Sequence, residues 1–166
     1  MTEAEMREMF ARQAIGDVIH RYSRSMDRID AELGYSVWHE DGTADYGSWF
    51  KGTGRGFIDW VCGYHRTLAG QFHQVSNISI TLDGDRAGSE TYVTVALLEG
   101  PSATGTMQMT TGRGRYVDRW SLRAGRWAID HRQYVLDFAV TQDVAVMPGW
   151  GERSPADPSH AALAPG

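Results

Sequence analysis

An α+β fold follows from three features of the chain. Apolar residues recur every three or four positions as far as about residue 70, the period then changes to two, and no strand-helix-strand alternation suggests a parallel sheet. Helices first and a long antiparallel meander afterwards pack most simply as a cone-shaped curved antiparallel sheet wrapped around the N-terminal helices. That is an α+β barrel whose alternate strand residues face an enclosed space. The 166 residues suffice for one domain with a real core. Residues 1–146 are read as that domain and 147–166 as a tail rich in Pro, Gly and Ala.

The first helix is predicted over about 3–30. Ile15, Val18, Ile19, Tyr22, Met26, Ile29 and Leu33 form its apolar face, while Arg21, Arg24 and Arg28 stay in water. Asp27 interrupts that face near the helix end, where a carboxylate meets water or needs a partner. The stretch AELGYSVWHEDG reads as a short helix carrying Tyr35 and Trp38, stopped by residues 40–42. TADYGSWFKG alternates as a strand through Tyr46 and turns at Lys51 and Gly52, and a third helix over 54–68 rests on Phe57, Ile58, Val61, Tyr64 and Leu68.

After His73, strands are predicted over 74–82 and 87–98, joined by the DGD turn at 83–85. A loop through Pro101 and Gly105 leads to a strand over 106–120; LRAG at 122–125 makes the next turn, and RWAIDHRQYVLDF from Arg126 is the last strand. Tyr116, Asp118 and Trp120 share one strand face, and Asp130, Arg132 and Tyr134 share another. Inward polar residues either satisfy one another or meet a ligand. The tail is expected to be loosely held or draped over a neighbour, with Trp150 closing a pocket.

The net charge of −5 leaves no basic surplus for phosphates, so a nucleic-acid partner is not expected. No apolar run approaches the roughly 18 residues of a membrane span, and the N-terminus lacks the basic-then-apolar order of a signal peptide. A cytoplasmic location is expected, with no membrane partner. The single Cys62 excludes an internal disulfide and reads as a small buried hydrophobe. His20, His39, His65, His131 and His160 show no HxH or HExxH spacing, so no metal is expected. GRGR at 112–115 lies mid-strand with no following helix and is not a phosphate loop. Six Trp and seven Tyr are a costly filling for a small core but a good lining for a pocket that takes a flat apolar ligand.

The segments AIGDVIHRYSRSMD, DYGSWFKG, HQVSN and GRWAIDHR, set in this order of elements, resemble the SnoaL-like branch of the nuclear transport factor 2-like superfamily. The resemblance covers about residues 8–140 and is closest to the group of scytalone dehydratase and hexachlorocyclohexane dehydrochlorinase. It implies an apolar pocket with an Asp-His dyad, whose carboxylate matches Asp27 and whose imidazole matches His73. It also implies a pocket arginine at Arg132, a catalytic tyrosine at Tyr46 and a pocket residue at Asn77. Trp38, Trp49, Trp60 and Tyr64, with Tyr22, Tyr116 and Tyr134, are expected to form the substrate-binding wall. The chain departs from the family where the dehydrochlorinase has a catalytic lysine, because Tyr22 stands there. Gly114 and Tyr116 occupy the positions of the dehydratase's Ser/Asn pair.

A carboxylate-backed imidazole in an apolar cavity suits proton removal without metal or cofactor, with tyrosines and Arg132 stabilising oxyanion character. The chemistry expected is dehydratase-like elimination or retro-aldol loss of formaldehyde from a small hydroxylated aromatic or cyclic substrate. Relatives acting on lignin-derived diaryl compounds are of the second kind. A non-catalytic small subunit of a ring-hydroxylating dioxygenase, a hydrophobic-ligand-binding module and an isomerase of ketosteroid-isomerase type remain alternatives. A homodimer or homotrimer is expected by analogy. Taken singly, Asp27 also reads as a surface acid, His73 as a core histidine, and Arg132 as the partner of Asp130 or Asp118.

Overall fold

The structure, a computed structural model, describes residues 1–101, 105–147, 149 and 151–164. Its elements are α1 (Glu3–Arg28), α2 (Ala31–Tyr35), β1 (Trp38–Asp45), β2 (Lys51–Thr53), α3 (Gly54–His65), β3 (Gly70–Asp83), β4 (Arg86–Pro101), β5 (Met107–Arg123), β6 (Arg126–Val144) and α4 (Pro158–Ala162).

The start of α1 is set by a capping box: the Thr2 hydroxyl accepts from the Glu5 amide while the Glu5 carboxylate accepts from the Thr2 amide. The predicted stripe is buried at Ile15, Val18, Ile19, Tyr22 and Met26. The helix stops at Ile29, which takes a left-handed conformation (φ 51°) so that its amide and that of Asp30 return to Met26 O and Ser25 O. Asp30 then caps α2 through the Leu33 amide. Asp27 therefore sits in the last turn of α1, at a fixed end and not in a frayed one.

The six strands run in the order β2-β1-β6-β5-β4-β3 as one curved sheet that does not close. Strands β3 to β6 form the expected antiparallel meander. The pairing of β1 with β6 is parallel, with Ala44 opposite Arg132. This differs from the all-antiparallel expectation, because the crossover between these strands runs through α3 and four further strands and leaves no local alternation to read. Bulges bend the sheet around the helices. Asn77 and Ile78 oppose the single residue Thr91, Asp130 is an extra residue between the Ile129 and His131 pairings, and Asp137 is another between the pairings of Leu136 and Phe138. Along β5, Gly112, Gly114, Tyr116, Asp118 and Trp120 are buried in alternation on the concave side.

Three expectations about the elements are corrected. Trp38 opens a strand and does not lie in a helix; its indole packs flat against Gly54, where an added Cβ would stand 2.3 Å from the ring. The third helix ends at His65, three residues before Leu68, and β6 continues past Phe138 to Val144 because its whole length pairs with β5. The tail packs on its own domain. Arg153 donates to His65 O, Leu68 O and Gln71 Oε1, Arg24 reaches Ser159, and Asp157 lies beside Arg28. The expectation for Trp150 lies outside the described residues. No helix among the described residues is long and apolar enough to cross a membrane.

Candidate active site

Asp27 and His73, 46 positions apart, meet where the end of α1 crosses the start of β3. The Asp27 carboxylate accepts from His73 Nδ1 at 2.7 Å through one oxygen and from the His73 backbone amide at 3.2 Å through the other. Straddling the ring and the amide of one residue fixes the imidazole's rotamer and puts its proton on Nδ1, so Nε2 is the atom left to act. The Gln71 amide donates to Met26 O and Asp27 O and in turn accepts from Arg153, so the end of α1 is held from behind as well.

His73 lines a cavity of about 410 Å³ bounded by α1, α3, the β1–β2 loop and the concave face of β4 to β6. Its aromatic wall is Tyr22, Tyr46, Trp49, Phe57, Trp60, Tyr64, Tyr116 and Tyr134. Tyr46 stacks on Phe57 (ring centroids 3.9 Å apart) and on Tyr134 (5.3 Å), and its hydroxyl is 2.8 Å from that of Tyr22. Gly114 makes room for Tyr134: an added Cβ there would come within 2.9 Å of that ring and 2.5 Å of Val135 O. The GRGR segment is thus a seat for an aromatic ring. Burial raises the phenols of Tyr22, Tyr46 and Tyr116, and pushes Tyr134 up to about 12, so all four stay protonated and able to donate.

Asp27 stands behind His73 and does not itself line the cavity, and three further expected site residues lie outside it. Arg132 is fully buried behind the tyrosines. It donates through Nε and Nη2 to both oxygens of Asp118 (2.8 and 2.7 Å) and is sandwiched between the faces of Tyr22 (4.2 Å) and Tyr116 (4.1 Å). Burial opposes its charge, but the adjacent Asp118 more than offsets this, so the guanidinium stays protonated. Asp118 is its register partner on β5, whereas Asp130 sits in the bulge and pairs with Arg123. Trp38 is buried behind Arg132, 5.9 Å from the guanidinium. Asn77 is exposed at the β3 bulge with φ 48°, turned away by the extra residue.

One residue on the cavity wall was passed over as a functional group. His65, at the end of α3, is only 3% exposed and its ring centroid lies 5.6 Å from that of His73. Its spacing from Ile58 and Val61 put it on the apolar face of its helix, a signal visible in the sequence. Burial, reinforced by His73, pushes its pKa down to about 4, so it is neutral near pH 7. Among the described residues no group of three or more His, Cys, Asp or Glu comes together as a metal site.

A SnoaL-like domain is matched over residues 7–133, most of the chain and all the elements that carry the dyad. The chain belongs to the SnoaL-like family. Solved SnoaL-like and nuclear transport factor 2-like folds superpose on it along most of their length. A putative scytalone dehydratase from Novosphingobium aromaticivorans is 22% identical with a TM-score of 0.71, covering 92% of this chain and 99% of that one. A hexachlorocyclohexane dehydrochlorinase, LinA type 2, is 12% identical with a TM-score of 0.76, covering 89% and 99%. A single-residue variant of a protein of unknown function from Mycobacterium tuberculosis is 22% identical with a TM-score of 0.68, covering 82% and 77%. At these identities the likeness is one of fold. No curated protein matches the sequence.

Proposed function

We propose that the protein is a cofactor-independent lyase that acts on a small hydroxylated aromatic or cyclic substrate by Asp27-His73 general acid/base catalysis. The observation that carries the reading is the hydrogen-bonded dyad opening onto an aromatic cavity. Asp27 stabilises the imidazolium that forms when His73 Nε2 takes a proton, and its grip on the His73 amide keeps the ring aimed. In loss of water, Nε2 takes a proton from the carbon beside a carbonyl, the electron pair becomes the new double bond as the β-hydroxyl departs, and the imidazolium protonates that hydroxyl. In loss of formaldehyde, Nε2 takes the proton of a hydroxymethyl group. The oxygen then forms a carbonyl as the carbon-carbon bond breaks, and the imidazolium protonates the carbanion. The neutral phenols of Tyr46 and Tyr134 supply hydrogen bonds to the oxygen on which charge develops.

Open space beside the dyad favours this reading over a structural subunit, whose barrel would be filled by its own side chains. An isomerase using a free Asp base fits less well, because both Asp27 oxygens are engaged by His73. The test is a panel of β-hydroxy ketones and hydroxymethyl-substituted aryl compounds, assayed for loss of water or formaldehyde. His73→Ala should abolish turnover, and Asp27→Asn should lower kcat by about 10²-fold or more with little change in KM. Wild-type rates in either folded variant would refute the dyad.

A further inference from the structure

His65 and His73 are tethered alike. Each ring is held at Nδ1 by one of two consecutive residues in the last turn of α1: His73 by the Asp27 carboxylate at 2.7 Å, His65 by the Met26 carbonyl at 3.4 Å. An imidazole held at Nδ1 presents Nε2 away from its tether, so both Nε2 atoms point away from the end of α1. A carbonyl oxygen can only accept, so Nδ1 of His65 carries the proton and its Nε2 is a lone-pair acceptor. Burial keeps this ring neutral down to about pH 4, so it does not share the dyad's role as a proton carrier. It nevertheless borders the cavity beside the base. Among the described residues the only hydrogen bond of the ring runs through Nδ1, so Nε2 is open to the cavity and a ligand hydroxyl would be a partner for it.

We propose that His65 is a second substrate-contacting residue, whose Nε2 accepts a hydrogen bond from a hydroxyl of the ligand and makes the site selective for hydroxyl-bearing aromatics over their O-methyl counterparts. This rests on the cavity being the substrate site proposed above, but not on any reaction there. The carbonyl-backed ring selects and the carboxylate-backed ring reacts. Selection arises because a methyl ether has the same shape but cannot donate, which leaves Nε2 unpaired.

The test is equilibrium dialysis of the protein with 2-naphthol and with 2-methoxynaphthalene, neither of which can lose water or formaldehyde. Wild type should prefer the naphthol by about tenfold or more. His65→Leu and His65→Phe, with folding checked by circular dichroism and melting temperature, should bring the preference near unity. His65→Gln, whose amide oxygen accepts, should restore most of it. Equal binding of the two probes by wild type overturns the proposal, as does a preference that survives in folded His65→Leu. Because the probes do not react, these outcomes are independent of the turnover tests that decide the dyad.

Discussion

Asp118→Asn removes one charge from the core while keeping its shape, and so isolates what Arg132 does. In the native protein the guanidinium is fully buried, gives two hydrogen bonds to Asp118, lies between two tyrosine faces, and has no partner for Nη1 among the described residues. Asparagine leaves one acceptor, turns an amide NH₂ toward guanidinium donors, and leaves the positive charge without a counter-charge. Breaking a buried pair this way costs about 3–5 kcal/mol. For a chain of this size each kcal/mol shifts the melting temperature by about 2–4 °C, so Asp118→Asn should melt roughly 6–20 °C lower. The double variant Asp118→Leu/Arg132→Met should recover most of the loss, since apolar side chains of similar volume often replace buried ion pairs without penalty. The assay is thermal and urea unfolding followed by circular dichroism. A wild-type melting temperature for Asp118→Asn would refute the argument. Loss of turnover in a stable double variant would refute the placement of Arg132 behind the wall.

Acid should destabilise the fold through His65. Its folded pKa of about 4 lies below the ordinary 6.5, so between these values unfolded chains bind a proton that folded ones do not, and stability falls as pH drops through that window. The full loss, reached below about pH 4, is on the order of 3 kcal/mol; urea unfolding from pH 7 to 4 should show this limb flattened in His65→Gln, and an unchanged limb would exclude His65 as its source. Arg153→Ala should cost about 1–3 kcal/mol by removing three side-chain donations and should speed proteolysis within residues 151–164; unchanged cleavage would mean that the tail is held by other contacts. Phe72, Tyr92, Val117, Phe138 and Val140 are exposed together on the convex face of the sheet. A homodimer or homotrimer is expected to form across it, and Phe138→Asp should shift sedimentation to the monomer; a monomeric wild type would refute this.

Element type was legible wherever the physics is local. The α1 stripe needs only a period of 3.6, and the hairpin turns announce themselves through Gly84 and Gly125, both at positive φ. Trp38 misled because the residues before it form a helical turn and a one-strand periodicity cannot compete with them. The Asp27-His73 pairing was reached through family resemblance, since nothing in either segment specifies a partner 46 residues away. His65 was visible as part of an apolar helix face, but its role depends on what stands opposite.

The sequence by itself determined most of the helices and strands and the side chains that the long ones must bury, because periodicity, capping and turn chemistry act over a few residues. Only the tertiary structure decided which inward polar groups satisfy one another and which remain for a ligand. Two inserted residues settle much of that choice. The β3 bulge turns Asn77 outward, and the β6 bulge removes Asp130 from the inner face, so Arg132 meets Asp118. Because strand side chains alternate faces, a one-residue insertion moves a side chain from core to solvent. Whether it does so depends on register set across strands far apart in the chain.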